Sequence, residues 1–296
     1  MNRKIFKLLI LSFSLLATVA HAQMAEYGFD DKDPFSPNSV HPVRKADVMY
    51  NNTVWVRMDL REKVNEPFFA SNNEITKIII DAVKAGVLRP YKNDSLITRM
   101  TIQEFNDNLK IPGAEESLDT DLGFGGDTGG AWGGDGGGAW GGDDAWGGDG
   151  AAADVGPDEF FPKQIYILEI KENRMFDRKR ARMVYDIQSV KLIIPGELYP
   201  TGIDKELATF SYKELVTNVF VDNPQATWYN AKNTAENKNL ADAFALRQFA
   251  GKIIKYSNPK DFMIDDIYKG NMKLGLAKSQ EFEHRLVVYE NDLWSN

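Results

Sequence analysis

The sequence predicts an α+β fold: two small mixed domains joined by a Gly/Asp/Trp-rich flexible linker. Three observations predict it. Residues 50–112 carry a strand-like alternation followed by two amphipathic helical patterns. Residues 158–296 carry a long hairpin pattern followed by further helical stripes. Between them, residues 113–157 are low in complexity and acidic, and in GGDTGGAWGGDGGGAWGGDDAWGGDG (125–150) no aliphatic side chain exceeds alanine.

Residues 1–22 read as a cleaved secretory signal. Arg3, Lys4 and Lys7 precede an apolar run over 8–19, and Ala20-His21-Ala22 supplies a small-x-small cleavage site. The run is too short to span a bilayer, which takes about 20 apolar residues. No cysteine follows it, so a bacterial lipoprotein anchor is not expected, and any hold on a membrane must come through a partner. Residues 23–49 are polar, contain Pro34, Pro37 and Pro42, and read as an extended arm.

The stretch VWVRMDL over 54–60 alternates as a half-buried strand does. Asn73-Glu74 opens a helix whose apolar stripe is Ile75, Ile78, Ile79, Ala82 and Val83, with Gly86 as its stop. Residues 87–91 suggest a short strand ended by an Asn93-Asp94 turn. Thr101 and Glu104 form a capping box, and Ile102, Phe105 and Leu109 are expected on the packing face.

Beyond the linker, QIYILEIK (164–171) and residues 182–194 read as two strands around the charged turn ENRMFDRKRA. Ser211 and Glu214 form a second capping box before Leu215, Val219 and Phe220. Leu240, Ala243, Phe244, Phe249 and Ile253 suggest another helix, and residues 276–289 the last one.

Composition excludes several classes of chemistry. There is no cysteine, so disulfides, thiolate nucleophiles and cysteine-bound metals are absent. Once the signal is removed only His41 and His284 remain, too few and too far apart to suggest a histidine triad or a multi-histidine zinc site. The net charge of −8 is unevenly placed, because residues 111–162 hold twelve acidic side chains and no basic one. The rest of the chain is nearly neutral, which argues against a nucleic-acid binder with a concentrated basic face. No cofactor is expected.

Three features remain as candidate interaction sites. AWGGD recurs at 131–135, 139–143 and 145–149. Its irregular spacing fits neither a nonapeptide calcium β-helix nor an EF-hand loop. A glycine-rich tether is one reading. Anchoring of Trp132, Trp140 and Trp146 on a partner is another, and calcium binding a third. Arg174, Arg178, Lys179, Arg180 and Arg182 crowd the predicted turn. They read as a solvated hairpin tip, as an interface that steers an acidic neighbour, or as a contact for lipid phosphate. Trp294 closes the last helix and either docks it on the core or meets another molecule.

WVRMDLREKVNEPFF at 55–69, MFDRKRARM at 175–183, FAGKIIKYSNP at 249–259, DDIY at 265–268 and ENDLWSN at 290–296 give the chain a family likeness. In their order, behind a non-lipidated signal, they resemble the GldN/PorN family of gliding-motility and type IX secretion components of Bacteroidota. The likeness covers both predicted domains. The Gly-Asp-Trp segment looks like an insertion in this chain.

The resemblance implies a non-catalytic periplasmic subunit, attached to the outer membrane through a lipoprotein of the GldK/PorK type. It implies self-association within a ring and contact with the periplasmic part of an inner-membrane motor protein of the GldM/PorM type. Membrane contact is then indirect, with no nucleic acid involved. The competing readings are a carboxylate-only periplasmic enzyme or binding module acting on cell-wall glycan, and a calcium-binding protein centred on the tryptophan repeat.

Overall fold

A computed structural model of the chain describes residues 38–112, 159–268 and 271–294. The predicted signal, most of the arm and the predicted linker lie outside the described residues.

Five antiparallel strands form the sheet, and β1 (Val48–Asp59) runs near its middle. β1 pairs along its length with β2 (Ile167–Asp177), Val48 opposite Asp177 and Asp59 opposite Ile167. β2 turns into β3 (Arg182–Ile194), and β3 pairs with β4 (Lys205–Ser211) through Ser189–Ile194. On the other flank of β1 lies the short β7 (Lys252–Tyr256), giving the order β4-β3-β2-β1-β7. β5 (Thr227–Trp228) and β6 (Lys238–Asn239) make a separate two-stranded ribbon.

The chain on either side of 113–157, read from sequence as two domains, therefore contributes to one sheet. It also contributes to one core. Phe68, Ile75, Ile79 and Phe105 pack in the same cluster as Leu168, Ile170, Phe210 and Phe244. Each large side chain buried there contributes about 1.5–3 kcal/mol. Sequence spacing cannot reveal the shared sheet and core, because β1 and β2 meet across more than a hundred residues.

Strand alternation divides the sheet into two unlike faces. Val54, Val56 and Met58 are buried on one side, beneath the helices. Here lie α1 (Ile75–Lys84), α2 (Ile102–Leu109), α3 (Tyr212–Leu215) with the π-helical turn Val216–Phe220, and α4 (Leu240–Ala245). Phe244 centres this layer, its ring 5.0 Å from Phe68, 5.5 Å from Phe249 and 5.9 Å from Tyr212. A smaller cluster of Val54, Val56, Ile253, Ile264, Phe282 and Leu286 seats α5 (Ile264–Ile267) and α6 (Met272–Trp294) on β1 and β7.

The opposite face is polar. Trp55 donates its indole N–H to Asp94 at 2.8 Å, between the amines of Lys255 and Lys171. Arg57 pairs with Asp204. Lys191 is held between Glu169 at 3.2 Å and Glu206 at 2.8 Å. Burial disfavours the Lys191 ammonium, but its two carboxylates outweigh that and raise its pKa.

Several local expectations are met and several corrected. Thr101 and Glu104 form the capping box, with Glu104 N–H donating to Thr101 Oγ1 and Thr101 N–H to the Glu104 carboxylate. Gly86 adopts φ +73 at the end of α1, a conformation only glycine takes without strain. Ile102 is 45% exposed, so the packing face of α2 is Phe105 and Leu109 alone. Residues 87–91 form no strand; Tyr91 makes isolated bridges to Arg99 and to Thr209 of β4. Ser211 makes no side-chain cap, because it is still paired to Ser189 as the last residue of β4. Phe249 and Ile253 leave the predicted helix, and Ile253 belongs to β7 instead.

Candidate functional site

The predicted charged turn is shorter than the sequence suggests. β2 continues to Asp177, so only residues 178–181 form the loop. The loop is closed by Asp177, whose carboxylate accepts from Lys179 N–H at 2.9 Å and Arg180 N–H at 3.3 Å. Arg178 N–H donates to Asp47 O at 2.8 Å, tying the tip to the start of β1. These backbone bonds fix the loop while leaving the side chains of Arg178, Lys179 and Arg180 exposed. Arg182 is exposed at the first position of β3.

Arg174 is elsewhere. It lies within β2 with 4% of its surface exposed, so it is no part of the exposed tip. Its Nε donates to Glu172 at 2.8 Å, and its guanidinium lies 3.7 Å from Glu283 of α6. Arg247 approaches the same fully buried Glu172 from the other side, with Nη1 at 2.5 Å and Nη2 at 3.4 Å. The Tyr185 ring stacks against both cations, 4.3 Å from Arg247 and 5.5 Å from Arg174. Arg247 holds φ +50 just past the end of α4, where Arg247 N–H donates to Phe244 O at 3.0 Å and Gln248 N–H to Ala243 O at 2.9 Å, closing the helix. A buried carboxylate costs several kcal/mol to desolvate, and two guanidinium partners offset it. Sequence reasoning missed Glu172 and Arg247. No local signal marked them, because Glu172 reads as the first residue of the charged turn.

Beside this cluster the fold opens into a cleft of about 440 Å³. β4 stops pairing at Ser189, so among the described residues Arg182–Gln188 of β3 have no strand on their outer side. That half-strand forms one wall. Ile187, Tyr212, Val216 and Phe244 give an apolar floor, while Arg180, Arg182, Arg247 and His41 stand around it. Asp186 also faces the cleft, with burial raising its carboxyl pKa. The Ser39 hydroxyl donates to it at 2.8 Å and the Gln188 amide at 2.6 Å, which limits the rise.

The remaining candidates are dispersed. Trp132, Trp140 and Trp146 lie outside the described residues. Trp294 is 66% exposed at the end of α6, not docked on the core. α6 exposes Leu276, Val287 and Val288 as well, while Phe282 and Leu286 seat it on β1. His284 is exposed on the same helix. Among the described residues no group of three or more His, Cys, Asp or Glu is arranged to hold a metal ion. Nor is any described helix long and apolar enough to cross a membrane. The geometry thus offers a cationic tip with a hydrogen-bonded backbone, an apolar cleft and a partly uncovered helix.

The comparison with curated proteins finds no match. The family described as "Gliding motility associated protein GldN" matches residues 43–295, from the last turn before β1 to the end of α6. All but one of the sheet-forming and helix-capping landmarks named above fall within that span completely, and ENDLWSN ends one residue past it. The chain belongs to the GldN family of gliding-motility-associated proteins.

Proposed function

We propose that the protein is a non-catalytic periplasmic subunit of the type IX secretion and gliding-motility machinery. It assembles with an outer-membrane lipoprotein of the GldK/PorK type into a ring, which anchors it indirectly to the membrane. Within that ring it contacts the periplasmic part of a motor protein of the GldM/PorM type. The family match over residues 43–295 carries this reading.

The hairpin tip supports it. Arg178, Lys179 and Arg180 are held on a backbone fixed by Asp177 and Asp47, so little backbone entropy is lost when they meet an acidic surface. Charges so placed set orientation and register between subunits more than they add affinity.

Mixing the purified chain with a purified lipoprotein of the GldK/PorK type, and following mass by light scattering, tests the proposal. A species of fixed stoichiometry much larger than either component is expected. Two unchanged components would refute it.

A further inference from the structure

We propose that the open half of β3 is a strand-addition site, which takes an extended segment of a partner protein, apolar at alternate positions and carrying carboxylates at its end, as a further strand of the sheet. The inference concerns this chain and a peptide, and it does not depend on the assembly proposed above.

The place for that strand is the one β4 leaves. β4 pairs with β3 from Ile194 to Ser189, and at Ser211 the chain turns away into α3. Arg182–Gln188 run on beyond it for seven residues, about 23 Å at ~3.3 Å per residue, the length of an ordinary strand. Among the described residues no loop backbone bonds to this stretch, and the one side chain that meets its N–H groups is Glu290 of α6, at 3.2 Å from Met183. Its outward N–H and C=O groups are thus open to an incoming strand. Val184, Tyr185 and Ile187 are residue types that favour such pairing.

The cleft beside this edge says what the strand carries. Its volume of about 440 Å³ lies in the ~300–1,000 Å³ range of pockets that enclose a ligand. Its two ends differ. Tyr212 and Val216, which follow β4 in the chain, line it together with Ile187 and with Val221, which is 59% exposed. Towards the hairpin tip Arg180 and Arg182 stand at its rim. Arg182 has no ion-pair partner among the described residues, and Arg180 has only Asp177 at 3.7 Å. Arg247 is already matched by Glu172. Of the acids in the lining, Asp186 is buried and bonded to Ser39 and Gln188, and only Asp242 is exposed. An occupant with apolar side chains over Val216 and Val221, and carboxylates beside Arg180 and Arg182, complements both ends. Main-chain hydrogen bonds supply affinity in such an addition, and the opposed charges set its register. A second copy of the chain fits less well, because its own Arg182–Gln188 edge brings no free carboxylate: Asp186 is buried.

The probe is a fluorescein-labelled peptide, Glu-Glu-Val-Thr-Val-Thr-Val-Glu-Glu, titrated with the purified chain by fluorescence polarisation. Saturable binding is expected, with exchange of amide hydrogens in residues 182–188 slowed at least about fivefold when the peptide is bound. The same peptide N-methylated at every interior residue cannot pair as a strand and is expected to bind at least about tenfold more weakly. A peptide with lysine in place of glutamate is expected to lose a similar factor. R180E/R182E, shown folded by circular dichroism, is expected to reverse the order of the glutamate and lysine peptides, an outcome that a damaged fold cannot produce. The N-methyl comparison needs no variant. Equal binding of the N-methylated peptide, no binding up to about 1 mM, or unchanged exchange in 182–188 would each overturn the proposal. The last two are the outcomes expected if a second copy or another part of the chain already covers this edge.

Discussion

Asn65 and Ala250, 185 residues apart in sequence, exchange two hydrogen bonds: the Asn65 amide donates to Ala250 O at 2.9 Å, and Ala250 N–H donates to Asn65 Oδ1 at 2.8 Å. The same amide donates to Asp59 O at 2.8 Å. Asn65 is fully buried, so one side chain satisfies three backbone groups and clamps the end of β1 to the approach to β7. Asn65→Ala leaves those groups without partners. The expected cost is about 3 kcal/mol, from ~1–3 kcal/mol per orphaned buried group with partial relief by water. Urea unfolding checks it, and a change under about 1 kcal/mol would show that the clamp is not needed.

The cations near the hairpin separate into two kinds. Arg174→Ala strips one partner from fully buried Glu172 and is expected to cost roughly 3–5 kcal/mol. Arg178→Ala and Lys179→Ala remove exposed charges and are expected to stay within about 0.5 kcal/mol. Thermal unfolding of the three single variants separates the two kinds. The sequence presents these residues as one basic cluster.

Simultaneous reversal of Arg178, Lys179 and Arg180 to glutamate is expected to weaken assembly about tenfold or more at low salt, with the difference shrinking as salt rises. Monomer stability should barely move, because all three side chains are exposed and among the described residues only Arg180 has an ion-pair partner, Asp177 at 3.7 Å. Light scattering over a salt series checks the first expectation and a melting curve the second.

Asp186 gives the fold a pH dependence. Burial raises its folded pKa above the ordinary carboxylate value, with the Ser39 and Gln188 hydrogen bonds opposing that rise. The group's contribution to stability is therefore fully present below the unfolded pKa and lost as pH rises through the folded one. Asp186→Asn removes this titration. The stability of the parent chain relative to Asp186→Asn should decline from about pH 4 upward and level off above the raised pKa. Melting temperatures of both chains over that range measure it, and a constant difference would assign the pH dependence elsewhere.

Deleting residues 123–150 is expected to leave the fold intact. The described core closes around the deletion, with Leu109 bonded to Phe160 and Lys110 bridging Glu159. Circular dichroism and a melting curve check this, and loss of cooperative unfolding would show that the segment is structural.

What the sequence showed depended on range. The ends of β3 and the Thr101 box were legible because they rest on residues adjacent in the chain. Ser211 has the same local spacing and fails as a cap, because its pairing with Ser189 keeps it in a strand. Arg174 was misplaced for a related reason. An arginine inside a strand looks like turn chemistry until Glu172 and Arg247 are seen around it. Gly251 was quoted only as part of a landmark. A Cβ there would meet Val56 Cγ1 at 2.5 Å and Arg57 O at 2.9 Å, so its lack of a side chain is what lets β7 approach β1. The single sheet was illegible altogether, since no local pattern encodes which distant strand β1 will find.

The proposed function rests on stoichiometric attachment of this protein to neighbouring envelope proteins. Capture of the tagged full-length chain from solubilised membranes, with quantitative mass spectrometry of what accompanies it, measures that most directly. An outer-membrane lipoprotein in fixed ratio to the chain is expected, together with a motor protein's periplasmic region at lower occupancy. Recovery of the chain alone, as a monomer, would contradict it.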